Sequence, residues 1–289
     1  MRKILGLLII VSLMLYGCVP ARDVNTSNLK IVTSFYPVML LTKAVVGETG
    51  GVTIQNMTKP QTGCLHDYTL LPEDMKTLEK ADVFVINGLG MESFLEKITK
   101  GLPNLKIIDL SKNIEVIEEN PHIWLSPKNA IQMVKNLTTE LRSIDKQNEN
   151  KYMLNSENYI KQITILDNKT IKEVGKLKNK DIITFHEAFP YYAQAYGLNI
   201  KAVIEREPGE EPTSAQLKET IDIVKGANIK VLFAEPQYSS SAAKVIANET
   251  GAKLYLLDPV VTGENSANAD EYIKTMEKNL LTLIEALGE

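Results

Sequence analysis

The sequence reads LKIVTS at 29–34, VTIQNM at 52–57, DVFVING at 82–88 and LKIIDL at 105–110, four short runs rich in β-branched residues. Runs of this kind are typical of parallel strands that are buried on both faces. Helix-like segments separate them at 37–46, 72–81 and 91–100, and Pro37 and Pro72 suit the first turn of a helix. This alternation predicts a lobe built from parallel βα units.

A second series of strand-like runs follows later in the chain, at 181–185, 199–204, 230–234 and 252–257. The stretches between and after these runs read as helices, at 188–196, 214–227, 239–250 and 268–287. Between the two series, the stretch 126–177 is polar with apolar residues at helical spacing, and we expect one long helix over roughly 152–177. The predicted fold class is therefore α/β, with two Rossmann-like parallel βα lobes joined by a long helix.

The N-terminus has the layout of a signal peptide at 1–17, with a basic start at Arg2 and Lys3 and an apolar run up to Leu15. That run is too short for a transmembrane helix, which needs about 20 residues. Cys18 follows directly and resembles the acylated cysteine of the bacterial lipoprotein signal. We therefore expect a lipidated tether at 18–28, and the alternative is ordinary secretion with Cys18 left free.

The remaining chain divides into an N-terminal lobe at 29–150, a linking helix at 151–178 and a C-terminal lobe at 179–289. Each lobe is long enough to bury a core of its own. With Cys18 acylated, Cys64 is the only other cysteine and cannot form an intramolecular disulfide. The formal net charge of −4 and the lack of a basic patch exclude a nucleic-acid partner.

All three histidines of the chain fall in loops that follow predicted strands. His66 and His122 lie after strands of the first lobe, whereas His186 follows the first strand of the second lobe. Asp258 comes directly after the last strand of that lobe. Because open α/β sheets hold ligands at the carboxyl ends of their strands, these four side chains are expected to meet in the cleft between the lobes.

Three imidazoles and one carboxylate are a suitable ligand set for a divalent transition metal, and zinc fits a tetrahedral site of this kind. Calcium and magnesium require oxygen ligands, and manganese favours more carboxylate, although copper or nickel would also bind such donors. Taken singly, each histidine could be an ordinary surface or hydrogen-bonded residue. Asp258 precedes Pro259 and could instead be a turn residue.

Three further residues lie near the predicted site. Cys64 is either a small buried hydrophobic residue or an additional soft donor. Glu235, at the end of the third strand of the second lobe, could hold a histidine in one tautomer, ligate the metal directly or form a loop salt bridge. Trp124 could line the cleft or pack within its lobe.

Six segments then resemble a known family, in the family's order along the whole mature chain: HDYTLLPEDM (66–75), NPHIWLSP (120–127), FHEAFPYYAQAYGL (185–198), EPTSAQL (211–217), FAEPQYS (233–239) and LDP (257–259). The family is that of the zinc and manganese ABC importer solute-binding lipoproteins, also called cluster A-I.

The resemblance implies two lobes bridged by a rigid helix, little lobe closure, and delivery of the ion to an ABC permease. Its metal positions correspond to His66, His122, His186 and Asp258, and histidine at 186 resembles the zinc branch rather than the manganese branch. Two departures stand out. Asn120 replaces the family's usual aspartate, which would weaken a contact behind the ligand, and the histidine-rich loop of many zinc members has no counterpart at 114–120.

The expected function is therefore extracytoplasmic capture of zinc for a metal ABC importer, by a lipid-anchored, non-enzymatic monomer on the outer side of the cell membrane. A manganese-binding member of the same family is the first alternative. A surface-anchored zinc hydrolase is the second, because three histidines can leave a fourth position to water. An adhesin-like lipoprotein with incidental metal binding is a third.

Overall fold

The computed structural model describes residues 28–66, 68–204, 212–237 and 239–288. The predicted signal peptide at 1–17, the acylation site Cys18 and all but the last residue of the tether at 18–28 lie outside this range. Among the helices of the described residues, none combines the length and apolarity that a membrane span requires.

The first lobe contains a four-stranded parallel sheet, formed by β1 (Leu29–Thr33), β2 (Val52–Asn56), β3 (Val83–Ile86) and β4 (Lys106–Asp109). Its strand order is β2-β1-β3-β4. The helices that connect the strands are α1 (Tyr36–Val46), α2 (Pro72–Leu78) and α3 (Leu95–Gly101). All four predicted strands of this lobe are confirmed: β1 and β3 are the central, largely buried strands, whereas β2 and β4 form the edges and are partly exposed.

Two helices follow the first sheet, α4 (Pro127–Ile144) and α5 (Glu149–Val174), and α5 packs against helices of both lobes. The sequence predicts the second of these helices, over roughly 152–177, and shows the residues before it only as part of one polar stretch at 126–177. Ser126 is the N-cap of helix α4, and its side chain accepts a hydrogen bond from the backbone N–H of Asn129. Helix α4 ends at Ile144 because the side chain of the next residue, Asp145, accepts hydrogen bonds from Asn148 and Tyr152, at 2.7 Å each.

The second lobe repeats the architecture with β5 (Asp181–Thr184), β6 (Asn199–Val203), β7 (Val231–Ala234) and β8 (Lys253–Leu256), in the order β6-β5-β7-β8. Its helices are α6 (Pro190–Tyr196), α7 (Ser214–Gly226), α8 (Ser241–Thr250) and α9 (Asp270–Leu287). The predicted fold class is confirmed: two parallel βα lobes joined by a long helix, which is α5.

One hydrophobic core runs through both lobes. It contains Leu41 and Val85 of the first lobe, Ile163 of α5, and Phe233 and Leu283 of the second lobe. Helix α5 packs against α1, α4 and α9. A separate apolar cluster fills the other face of the second sheet, beneath α7 and α8. Because the lobes share a core, burial of apolar surface opposes any change in their relative position.

Trp124 connects the two lobes by hydrogen bonds and by packing. Its indole Nε1–H donates to the carbonyl of Pro259 at 2.8 Å, and its own carbonyl accepts from the hydroxyl of Tyr272 at 2.8 Å. The ring also meets Phe35 edge to face, with centroids 5.2 Å apart. The fully buried ring also lies 5.2 Å from that of His122, so Trp124 packs in the shared core directly beside this histidine.

The hydrogen bond from Tyr272 to Trp124 gives a prediction about stability. Tyr272→Phe should lower the free energy of unfolding by about 1–2 kcal/mol, because a buried carbonyl loses its donor. Urea unfolding with linear extrapolation measures the change. Tyr192→Phe is the matched control: its hydroxyl is also fully buried but has no hydrogen-bond partner among the described residues, so its removal should cost almost nothing. Equal effects of the two substitutions would contradict this account.

Candidate metal centre

The three histidines lie in loops at the carboxyl ends of the strands, and both lobes contribute. His66 is in the long loop between β2 and α2, and His122 directly precedes a short 3₁₀ turn at Ile123–Leu125. His186 follows β5 by two residues. Strand ends of the two sheets thus bring side chains that are up to 120 positions apart into one site.

The imidazole Nε2 atoms converge. The Nε2 atom of His122 lies 3.3 Å from that of His66 and 3.2 Å from that of His186. The Sγ atom of Cys64 joins them, at 3.5 Å from Nε2 of His122 and 3.9 Å from Nε2 of His186. One donor atom from each of these four residues lies within 4.8 Å of all the others. His122 and His186 are almost completely buried, whereas Cys64 and His66 are half-buried.

A carboxylate orients His186. The Oε1 atom of Glu235 is 2.5 Å from the Nδ1 atom of His186 and also accepts from the backbone N–H of that residue at 3.3 Å. The other oxygen, Oε2, accepts from the side-chain amide of Gln237 at 2.7 Å. With Nδ1–H donating to Glu235, the Nε2 atom of His186 faces the other histidines. Glu235 was one of the residues singled out in the sequence, whereas Gln237, two positions later in the same segment, was not.

An amide orients His122. The Oδ1 atom of Asn120 accepts from Nδ1–H and from the backbone N–H of His122, at 2.9 Å each. The Nδ2 atom of Asn120 donates to the carbonyl of Glu187 in the second lobe at 2.7 Å. The contact expected from an aspartate at this position is therefore made by a neutral amide, which also links the lobes. An amide places less negative charge behind the imidazole than a carboxylate does.

These different partners give the two buried histidines opposite proton affinities. Burial, together with the neighbouring His186 and His66, holds the pKa of His122 well below its usual value. Burial also disfavours the charged form of His186, but Glu235 and Cys64 outweigh it and raise the pKa of His186 to about 10. Without a metal, His122 is therefore neutral and His186 carries a proton at neutral pH.

Asp258 does not belong to the converging group. It lies two residues after β8, and its Oδ1 atom accepts from the backbone N–H of Val260 at 2.8 Å, which is the turn contact considered for it. Asn279 fixes its backbone: Oδ1 accepts from the N–H of Asp258 at 2.9 Å, and Nδ2 donates to its carbonyl at 2.7 Å. Burial raises the pKa of the carboxyl group. The function of Asp258 as a metal ligand stays a prediction.

The spacing of the imidazoles fits a tetrahedral metal. Zinc–nitrogen bonds of about 2.0–2.1 Å at tetrahedral angles place two ligand nitrogens about 3.3–3.4 Å apart. The two Nε2 distances of 3.3 and 3.2 Å have this length. Once His186 has lost its extra proton, the three imidazoles can therefore supply nitrogen ligands to one divalent transition ion.

Comparison with known proteins gives concordant matches over nearly the whole chain. The family model described as zinc-uptake complex component A, periplasmic, matches residues 31–286. The high-affinity zinc uptake system protein ZnuA of Bacillus subtilis (strain 168) is 31% identical over 290 residues, covering 92% of this chain and 90% of the relative. The manganese-binding lipoprotein MntA of Halalkalibacterium halodurans is 28% identical over 297 residues, covering 98% and 97% respectively.

A solved structure shares the fold. The Zn(II)-bound ZnuA-like domain of Streptococcus pneumoniae AdcA aligns with a TM-score of 0.79 at 29% identity, covering 90% of this chain and 99% of that domain. The chain spans 58% of the length of the whole zinc-binding lipoprotein AdcA from the same species.

The opposite pKa shifts of His122 and His186 can be tested by NMR, because the chain has only three histidines. In metal-free protein, one imidazole Cε1–H signal should titrate well above pH 8 and another should stay neutral far below pH 6.5, the ordinary histidine pKa. Glu235→Gln should lower the upper pKa, whereas Glu79→Gln at an exposed position should not. Three titrations near pH 6.5 would contradict the assigned environments.

Proposed function

Because this chain belongs to the zinc-uptake complex component A family, we propose that it is the extracytoplasmic solute-binding component of an ABC importer, which captures zinc and delivers it to a membrane permease. The observation that carries this proposal is the convergence of three imidazole Nε2 atoms from both lobes, at the spacing of a tetrahedral metal site. His66, His122 and His186 supply three ligands. The fourth is a carboxylate oxygen of Asp258, as the sequence suggests, or the sulfur of Cys64.

Zinc is the favoured ion because the site is rich in nitrogen. Three imidazoles suit zinc, copper and nickel, whereas manganese prefers carboxylate and other oxygen donors. The carboxylate nearest to the imidazoles, that of Glu235, accepts hydrogen bonds from His186 on its Oε1 atom and from Gln237 on its Oε2 atom. Manganese transport is the second candidate, since a relative of nearly equal length bears the name of a manganese-binding lipoprotein.

The structure of the site fits a protein that binds zinc better than it fits a zinc hydrolase. A catalytic zinc keeps one coordination position open for water. Here the fourth corner is next to the sulfur of Cys64, and two of the three imidazoles are at most 2% exposed. We therefore propose a binding protein rather than a metallohydrolase.

Binding requires little movement of the lobes. The shared core, the Trp124 hydrogen bonds and the Asn120 link hold both halves of the site before an ion arrives. The ion then enters and leaves on the side of the site where the half-buried His66 lies. We propose that the protein acts as a monomer, because each copy of the chain supplies all the ligands.

We also propose that the protein is held at the outer face of the cell membrane by an acyl group on Cys18. Two observations support this: the leader has basic residues, an apolar run and a cysteine in that order, and two relatives are named lipoproteins. A flexible tether after Cys18 would let the two lobes reach the permease while staying near the membrane.

The central prediction concerns zinc stoichiometry and His122. Metal-stripped protein should bind one zinc ion per chain in a chelator competition titration. His122→Ala should weaken binding by more than the roughly 10–100-fold that follows loss of an orienting partner alone, because a ligand is removed. Lys100→Ala, on the exposed surface of α3, is the control and should bind like the wild type.

Circular dichroism should verify that His122→Ala is folded. Failure of the wild-type protein to bind zinc stoichiometrically would refute the proposed function. If the protein bound manganese more tightly than zinc at equal free concentrations, manganese rather than zinc would be the transported ion.

The anchor gives a separate prediction. When the full chain is expressed with its leader, the wild type should sediment with membranes and carry an acyl group detectable by mass spectrometry. Cys18→Ser should move to the soluble extracytoplasmic fraction. Cys64→Ser, which alters the other cysteine, should stay with the membranes. Identical fractionation of the wild type and Cys18→Ser would contradict lipid anchoring through this residue.

A further inference from the structure

We infer that the sulfur of Cys64, rather than the carboxylate of Asp258, is the fourth ligand of the metal, so that the site is His₃Cys. This inference rests on the proposed function, since it concerns the same ion. With Cys64 in place of Asp258, the fourth donor is a soft sulfur instead of a hard oxygen, which favours zinc over manganese.

The sulfur of Cys64 lies at ligand distance from the imidazole nitrogens. With zinc–nitrogen bonds of about 2.0–2.1 Å and a zinc–sulfur bond of about 2.3 Å, the nitrogen and sulfur corners of a tetrahedron lie about 3.5–3.6 Å apart. The Sγ atom of Cys64 is 3.5 Å from Nε2 of His122 and 3.9 Å from Nε2 of His186. The sulfur and two of the three imidazole nitrogens thus have the separations of one coordination shell, within a few tenths of an ångström, and the donor atom of His66 lies within 4.8 Å of the sulfur.

The loop conformation directs the side chains of Cys64 and His66 to the same place. Leu65, between Cys64 and His66, is completely buried in the shared core. It anchors the loop, while the side chains on either side of it both reach the imidazole of His122. The preceding Gly63 has a φ of 82°, a conformation that favours glycine and turns the chain into this segment. The Cys-Leu-His sequence thereby presents two donors to one point.

Asp258 lies outside the converging group. Its Oδ1 atom accepts from the backbone N–H of Val260, and Asn279 bonds both the N–H and the carbonyl of Asp258, which fixes the backbone there. No oxygen of this carboxylate lies within the shared 4.8 Å separation that unites Cys64 with the three histidines. Asp258 would therefore have to move toward the imidazoles to bind the ion, whereas Cys64 is already in position.

Binding through Cys64 is an exchange of a proton for the metal. The thiol loses its proton to solvent, the sulfur lone pair forms the bond to the metal, and no oxidation is involved. A thiolate favours zinc, copper and related soft ions over manganese. A site with this fourth ligand should therefore reject manganese more strongly than one completed by aspartate.

Cobalt(II) is the probe that tests this assignment, because a thiolate ligand produces a charge-transfer absorption in the near ultraviolet that nitrogen and oxygen ligands do not. All proteins carry Cys18→Ser, so that Cys64 is the only thiol. The cobalt-loaded protein should show this absorption. Cys64→Ser should lose it and bind zinc at least about tenfold more weakly. Asp258→Asn should retain the absorption.

A second measurement covers the case in which a variant folds poorly. X-ray absorption of the zinc-loaded Cys18→Ser protein should show one sulfur at about 2.3 Å together with nitrogen at about 2.0–2.1 Å. Stoichiometric zinc binding without a sulfur neighbour, with affinity lost in Asp258→Asn, would overturn the inference while leaving the proposed function intact. Failure to bind either metal would refute both.

Discussion

The site depends on the hydrogen bonds made by the Nδ1 atoms of two buried imidazoles. An imidazole can present only one nitrogen lone pair to a metal when neutral, and the partner of the other nitrogen decides which one. Glu235 accepts from Nδ1–H of His186 and Asn120 accepts from Nδ1–H of His122, so that each histidine has its Nε2 lone pair available for the metal. The remainder of the fold keeps these pairs in place: parallel strands deliver the loops, and a core shared by both lobes fixes the distance between them.

The choice of an amide for one histidine and a carboxylate for the other controls the charge of the buried site. Without metal, the carboxylate of Glu235 raises the pKa of His186, whereas burial lowers the pKa of His122, which has only a neutral amide behind it. With a metal bound, Glu235 and the proposed sulfur ligand Cys64 would place negative charge near the ion, which offsets the cost of burying it. A second carboxylate at position 120 would add further negative charge to the site.

Much of this structure follows from sequence patterns, for identifiable reasons. Strands such as β3 (Val83–Ile86) are buried on both faces, so they read as uninterrupted apolar runs. The histidines could be placed at strand ends for the same reason. Helix α4 was missed because its polar surface merges with that of α5, and the break between them rests on the side chain of Asp145. The proximity of Cys64 to the imidazoles depends on loop conformation around Leu65, which no periodic pattern encodes.

The central claim is that loops from both lobes hold one zinc ion through three Nε2 atoms. Anomalous diffraction at the zinc absorption edge, from crystals of protein loaded with one equivalent of zinc, tests it most directly. The account predicts a single peak about 2.0–2.1 Å from Nε2 of His66, His122 and His186. A peak that leaves out the histidines of one lobe, or that is bound through Nδ1 of His122 or His186, would contradict it.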